Sequence, residues 1–301
     1  MASLSSKDLQ PALVVFLDVL GFGSKVKDIR EDHDVENIYA ALRFIHDEFE
    51  KNIANEEMIN NHELEGKTVL AFSDSIIISM LFKSEDTRTM GLFDNMLAHL
   101  HSIALSQITC LSKDLFLRGG IAKGGWFRDC DIVISDALVK AYDMESHKAE
   151  FPILAIDQQT YDYFASHRSR RNYALDIDPV DALFKSTKNG QSTVRYLDYL
   201  NIGFVSSEDW YCESDRQEYL KAESDEQKST ILNQSYKKSQ LNFLKAHRHT
   251  ILNALENAKD ERIKSKYRWL CHYHNSVVKE KEKCFEPSLI DIQILDGDGS
   301  R

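Results

Sequence analysis

The chain has 301 residues, 43% hydrophobic and 28% charged, with a net charge of −11. That suits one large domain or two smaller ones with ample core, and the acidic balance argues against a broad nucleic-acid-binding surface. The N-terminus Met-Ala-Ser-Leu-Ser-Ser-Lys-Asp lacks an apolar signal segment, and no uncharged run reaches the roughly 18 residues that span a bilayer. The five cysteines (Cys110, Cys130, Cys212, Cys271, Cys284) are scattered and form no CxxC pair. They read as reduced thiols of a soluble, cytoplasmic protein with no nucleic-acid or membrane partner.

The first element is the apolar run Val14-Val15-Phe16-Leu17, a buried strand by composition, which ends in Asp18 and is followed by Val19-Leu20-Gly21-Phe22. A lone carboxylate at the end of such a strand is costly unless something pairs with it, and a metal ion is a common answer. Val35, Ile38, Leu42, Ile45 and Phe49 recur at helical spacing and predict a helix from Asp34 to Lys51. Residues 52–66 are polar and turn-rich, hence a loop. Lys67 to Leu81 gives two apolar runs around Phe72-Ser73-Asp74-Ser75, which reads as a hairpin with Asp74 near its tip or as one bulged strand. An aspartate meeting an apolar run thus occurs twice, and Asp18 and Asp74 are expected to come together around divalent metal.

A second helix is predicted over Thr87–Gln107 from Leu92, Met96, Leu100 and Ile103. Leu115 to Trp126 then carries four of the chain's twelve glycines, with Arg118 and Lys123 among them. Glycine inside a strand marks close approach of a backbone or a ligand. A third helix, Asp136–His147, precedes a buried strand at Phe151–Ile156, and Tyr173–Asp178 and Thr193–Leu200 can add edge strands. This order matches a split βαβ, ferredoxin-like α+β domain with helices on one sheet face. Residues 215–284 turn polar and predict two or three long helices, with an antiparallel hairpin laid against the core as one arrangement. The expected division is a catalytic domain over 1–210 and a helical extension over 211–301, with the tail from Asp296 frayed.

Two carboxylates, the glycine after the first, and a basic glycine-rich strand suit phosphoryl transfer on a nucleoside triphosphate. Mg²⁺ or Mn²⁺ would sit on the carboxylates and phosphate on the backbone around Gly21-Phe22. Arg118 is equally suited to pairing with a structural carboxylate. Cys271-His272-Tyr273-His274 lacks a second ligand pair for zinc, and Asp296-Gly297-Asp298-Gly299 lacks the closing glutamate of a calcium loop.

Phe16-Leu17-Asp18-Val19-Leu20-Gly21-Phe22, Phe72-Ser73-Asp74-Ser75 and Arg118-Gly119-Gly120-Ile121-Ala122-Lys123-Gly124 resemble the successive motifs of class III nucleotidyl cyclases. Ser135-Asp136-Ala137-Leu138-Val139-Lys140-Ala141-Tyr142-Asp143-Met144-Glu145 resembles the G-x-A-L-x-x-A-Y-x-L-E helix of the bacterial pyrimidine cyclases of Pycsar anti-phage defence. The resemblance covers roughly residues 12–160. It implies a homodimer with interfacial active sites and two Mg²⁺ or Mn²⁺ ions per site on Asp18, Asp74 and the Val19 carbonyl. It further implies attack of the 3′-hydroxyl of CTP or UTP on its own α-phosphate, a product read by a separate cyclic-nucleotide-activated effector, and substrate contacts from Leu20, Gly21, Phe22, Leu70, Lys123 and Tyr142. The chain departs from the purine-specific members at Leu70, where they carry a base-reading lysine, and near Ile132. The family's ribose-orienting asparagine and transition-state arginine align with Val139 and Asp143, so Lys140, Arg118 or Lys123 is the candidate replacement cation. A catalytically silent cyclase-like sensor module is the competing reading.

Overall fold

Alternation along a single strand decides the layering. In the computed structural model, which describes residues 5–50, 66–189 and 192–291, β1 (Gln10–Val19) lies inside the sheet with Ala12, Leu13, Val14, Val15 and Leu17 all buried. Successive side chains leave a strand on opposite faces, so a run apolar at every position needs cover on both sides. One face receives α5 (Asp136–His147), whose Ala137 and Ala141 pack with Ala12, Val14, Ala122 and Trp126. The other receives α2 (Asp32–Glu50), whose Ile38, Ala41, Leu42 and Ile45 line a small cavity with Val19. The expectation of helices on one face only is therefore corrected. The even-numbered positions of β1 are as apolar as the odd ones and demand a second layer.

The sheet runs in the order β2-β3-β1-β4-β6-β8-β7. Its members are β2 (Lys67–Phe72), β3 (Ser75–Leu81), β4 (Leu117–Asp129), β6 (Leu154–Ile156), β7 (Phe184–Asn189) and β8 (Ser192–Leu197), with the short β5 (Ile132–Ile134) pairing β4. The first four strands in that order are antiparallel to one another, and β3 lies between β1 and β2. That is the split βαβ order of a ferredoxin-like core, as expected from the element order. β6 adds parallel to β4.

β2 and β3 form a two-residue hairpin through Ser73 and Asp74, with Ser73 at φ +55°, which settles the hairpin against the bulged strand. The helix expected over Thr87–Gln107 is instead two, α3 (Glu85–Met90) and α4 (Leu92–Leu111). They part at Gly91, whose φ of +87° continues no helix, while the capping box of Ser84 and Thr87 starts α3. Tyr173–Asp178 is no strand. It holds a 3₁₀ turn at Leu175–Ile177, and the Asp178 carboxylate caps α7 (Pro179–Leu183). α6 (Gln158–Ser166) precedes it, and β7 went unpredicted because Phe184-Lys185-Ser186-Thr187-Lys188-Asn189 is polar throughout. α1 (Phe22–Lys27) follows β1 directly, and α2 begins two residues earlier than expected. Residues 52–65 of the predicted loop and the tail from Asp296 lie outside the described residues.

Two compact units result, residues 1–198 and 199–301. The division falls before position 210 because α8 (Tyr199–Ser206) packs with the helices that follow it. Those are α9 (Glu213–Lys221), α10 (Asp225–Asn257) and α11 (Glu261–Lys279). α10 is 33 residues long, about 50 Å at 1.5 Å per residue. Its Leu244 and Ile251, with Tyr199, Leu270 and Val277, form the buried interior of this unit. Among the described residues no helix is long and apolar enough to cross a membrane.

Candidate active site

Two cross-strand rows build the site on the face that α5 partly covers. Opposite residues of antiparallel strands put their side chains on the same face about 5 Å apart. Strand register gives one row as Phe72, Ser75, Asp18 and Arg118, and the next as Leu70, Ile77, Phe16 and Gly120. The first ends an otherwise apolar sheet in an acid and a base; the second is an apolar floor. Asp74 follows Phe72 in the hairpin turn, which hangs it beside the Asp18 row.

The Arg118 guanidinium donates through Nε to Asp18 Oδ2 at 3.1 Å and reaches Glu145 Oε1 with Nη2 at 2.6 Å. Glu145 lies on α5 and is 4% exposed. Gly120 makes this reach possible, since a Cβ there would stand 1.9 Å from the Ala141 carbonyl oxygen, so α5 rests on the bare strand. The Asp18 carboxyl is raised from 3.8 to about 6. Burial is the largest cause, Arg118 opposes it, and the charges of Glu145 and Asp74 add to it. Strand register sets the two aspartates near one another, since Asp18 stands opposite Ser75 and Asp74 immediately precedes Ser75 in the turn.

The part-buried Asp18 carboxylate, only partly neutralised by Arg118 and with Asp74 next to its cross-strand partner Ser75, fits a hard divalent cation, which takes oxygen ligands and keeps positions for phosphate oxygens. Val19, the last residue of β1, is buried and places its carbonyl next in line. Among the described residues, one group of three meets a metal-ligand spacing, His46, Asp47 and Glu50 on α2. Its members are part-exposed, ion-paired with one another and with Arg43, and read as a solvated helix surface.

The remaining candidates fall in different places. Leu70 belongs to the apolar floor. Tyr142, on α5 and 51% exposed, sets its ring edge-on to Phe16 at 5.4 Å, so it stands at the rim of that floor. Of Leu20, Gly21 and Phe22, the Leu20 N–H is spent on the Phe116 carbonyl, while Gly21 (φ +77°) turns the chain into the six-residue α1. Lys123 is not brought to the site. It lies five residues along β4 from Arg118, hence on the other face, with its ammonium 4.9 Å from the Tyr163 ring centre. Lys140 pairs with Asp136 Oδ2 at 2.9 Å, one turn earlier on the surface of α5. Among the candidate cations, Arg118 is thus the one paired with Asp18.

Sequence reasoning missed Glu145 as the partner of Arg118. An acid in the last turn of a helix has the wrong sign for the helix dipole, and that mismatch is the signal that could have marked it as held by a base. In the helical unit, His274 donates or accepts at both ring nitrogens, to His247 Nδ1 at 3.0 Å and Ser288 O at 2.9 Å. No lone pair is left on it for zinc.

No family model matches the chain, and no curated protein matches it. Among solved structures, the adenylyl cyclase CyaB from P. aeruginosa is similar, at 14% identity and a TM-score of 0.41 over 62% of this chain and 93% of that one. A bacterial light-regulated adenylyl cyclase is similar in two structures. One has 11% identity and a TM-score of 0.37 over 77% of this chain; the other has 13% and 0.35 over 64% of it. All three are adenylyl cyclases. The chain spans 57% of the second and 95% of the third. Scores below 0.5 leave the function to be read from the site itself.

Proposed function

We propose that the chain is a nucleotidyl cyclase that converts CTP or UTP to the 3′,5′-cyclic monophosphate and pyrophosphate. The observation that carries this reading is the register that sets Asp18 opposite Ser75, the residue after Asp74, at the end of an antiparallel sheet and beside an apolar floor. Two Mg²⁺ or Mn²⁺ ions, held by Asp18, Asp74 and the Val19 carbonyl, would supply neutralisation of the triphosphate and acidification of the 3′-hydroxyl. The chain's own residues then divide the remaining work. Asp18 and Asp74 fix where the charge of the triphosphate can rest. Gly21 and Phe22 turn the main chain away so that phosphate can approach. Leu70, Ile77 and Phe16 offer the base a surface without donors or acceptors, with Tyr142 at its rim. A lysine that would read a purine is replaced by Leu70, which favours a pyrimidine.

The resemblance extends the proposal to a homodimer with the site completed by the partner, to a cytoplasmic setting, and to a product that activates a separate effector in anti-phage defence. A second reading, a catalytically silent nucleotide-binding or interaction module, is favoured by one observation. Arg118 is engaged by Asp18 and Glu145 and Lys140 by Asp136, while Asp143 stands where the family carries its transition-state arginine.

Incubating the purified chain with each of the four NTPs and Mn²⁺, followed by mass spectrometry, separates these readings. Cyclic CMP or cyclic UMP is the expected product. Product from ATP or GTP alone contradicts the pyrimidine reading, and no cyclic product from any NTP supports the silent module.

A further inference from the structure

Arg118 is the residue whose geometry disagrees most with the role first considered for it. A cation that stabilises a migrating phosphoryl charge must be free to meet it. Here the guanidinium donates Nε to Asp18 Oδ2 and holds Nη2 2.6 Å from Glu145 Oε1 in an ion pair, and Glu145 is buried. Three independent features converge on that arrangement. Strand register puts Arg118 directly across from Asp18. Gly120, two residues on, lets α5 lie against β4 closely enough for Glu145 to arrive. Glu145 occupies the last helical turn, where an acid is unfavourable without a partner.

We infer that Glu145 and Arg118 form a positioning relay, in which buried Glu145 orients the Arg118 guanidinium and Arg118 in turn fixes the Asp18 carboxylate for divalent metal. This rests on the metal reading above. Groups that hold a ligating carboxylate by hydrogen bonds commonly change metal affinity 10–100-fold when removed. Charge gives the relay a second task. Asp18, Asp74 and Glu145 carry three negative charges against one on Arg118, so the four groups together balance one divalent cation. Without Glu145, Arg118 would cancel Asp18 and leave Asp74 alone to attract metal.

Two simpler roles make opposite predictions. If Arg118 were only a counter-charge to Asp18, its removal would make the site more negative and tighten metal binding. If Glu145 were only filling space, an isosteric glutamine would change nothing. The experiment is Mn²⁺ titration of the full-length chain followed by electron paramagnetic resonance, with circular dichroism and thermal melts to confirm folding of each variant. Asp18→Asn is titrated alongside, which also isolates any binding by the surface cluster on α2.

Wild type is expected to lose its tighter Mn²⁺ site in Asp18→Asn. Arg118→Gln and Glu145→Gln should each weaken that site by about tenfold, and the double variant should be no weaker than the worse single because the two act as one unit. Arg118→Lys, which keeps charge but not the forked geometry, should fall between wild type and Arg118→Gln. Tighter binding by Arg118→Gln, or unchanged binding by Glu145→Gln, overturns the relay while leaving the metal site standing. Equal Mn²⁺ binding by wild type and Asp18→Asn overturns the metal reading and the relay with it.

Discussion

At the level of single residues, the candidate site is a problem in placing one buried carboxylate. Asp18 ends a strand covered on both faces, and burial alone drives its carboxyl upward before any neighbour acts. Arg118 answers part of that cost, and Asp74 and Glu145 restore it. What lets these four groups assemble is the missing side chain at Gly120. Replacing it with alanine puts a Cβ 1.9 Å from the backbone oxygen of Ala141, which cannot swing aside as a side chain could. α5 must then lift from β4. Gly120→Ala is expected to lower the stability of the sheet domain by about 1–3 kcal/mol, read as a fall in the urea midpoint of unfolding. An unchanged midpoint would mean that α5 does not rest on the strand there.

Elements set how much of this was legible beforehand. α5 was expected at about Asp136–His147 and is found there, with Ser135 as its N-terminal cap. The hairpin of β2 and β3 followed from the apolar runs on either side of Phe72-Ser73-Asp74-Ser75. The break between α3 and α4 was not legible, since Gly91 inside a helical pattern differs from a tolerated glycine only by its backbone angle. β7 was lost because its polar side chains show no alternation. Lys123 was misjudged for a related reason: composition placed it with Arg118, but an odd offset along β4 sends it to the other face.

The α10–α11 pair carries a testable consequence of its own buried polar chain. Tyr199, His247, His274 and the Ser288 carbonyl are linked in sequence by hydrogen bonds. The Ser288 carbonyl requires His274 Nε2–H, so His274 Nδ1 accepts from His247 Nδ1–H, and His247 Nε2 accepts from the Tyr199 hydroxyl. Both rings are therefore neutral. Burial pushes His247 well below its usual value, and burial pushes His274 from 6.5 to about 4. The unfolded chain thus binds protons that the native helices refuse. Stability is complete above the unfolded value and is lost as pH falls from 6.5 toward 4, by on the order of 3 kcal/mol for His274 alone. Amide hydrogen exchange along α10 and α11 should show protection that is level from pH 8 to 7 and falls by pH 5, after correction for intrinsic rates. Protection that stays level to pH 5 would show that the histidines do not oppose protonation.

For the whole molecule, two units divide the chain, and the chemistry proposed for it sits in the first. Four strands in ferredoxin-like order, a two-residue turn and one glycine contact set Asp18, Asp74 and Arg118 at the same end of the sheet. Nothing in that placement depends on exposed ion pairs such as that of Lys140. The central claim is metal-dependent cyclisation of a nucleotide on Asp18 and Asp74, and a single comparison tests it most directly. Wild type and Asp74→Asn are incubated with CTP or UTP and Mn²⁺, with folding matched by circular dichroism, and the cyclic nucleotide is quantified by mass spectrometry. Asp74 lies part-exposed in the two-residue turn, so its isosteric replacement should leave the fold intact and reduce product by at least about 100-fold. Equal product from the two proteins would contradict the account.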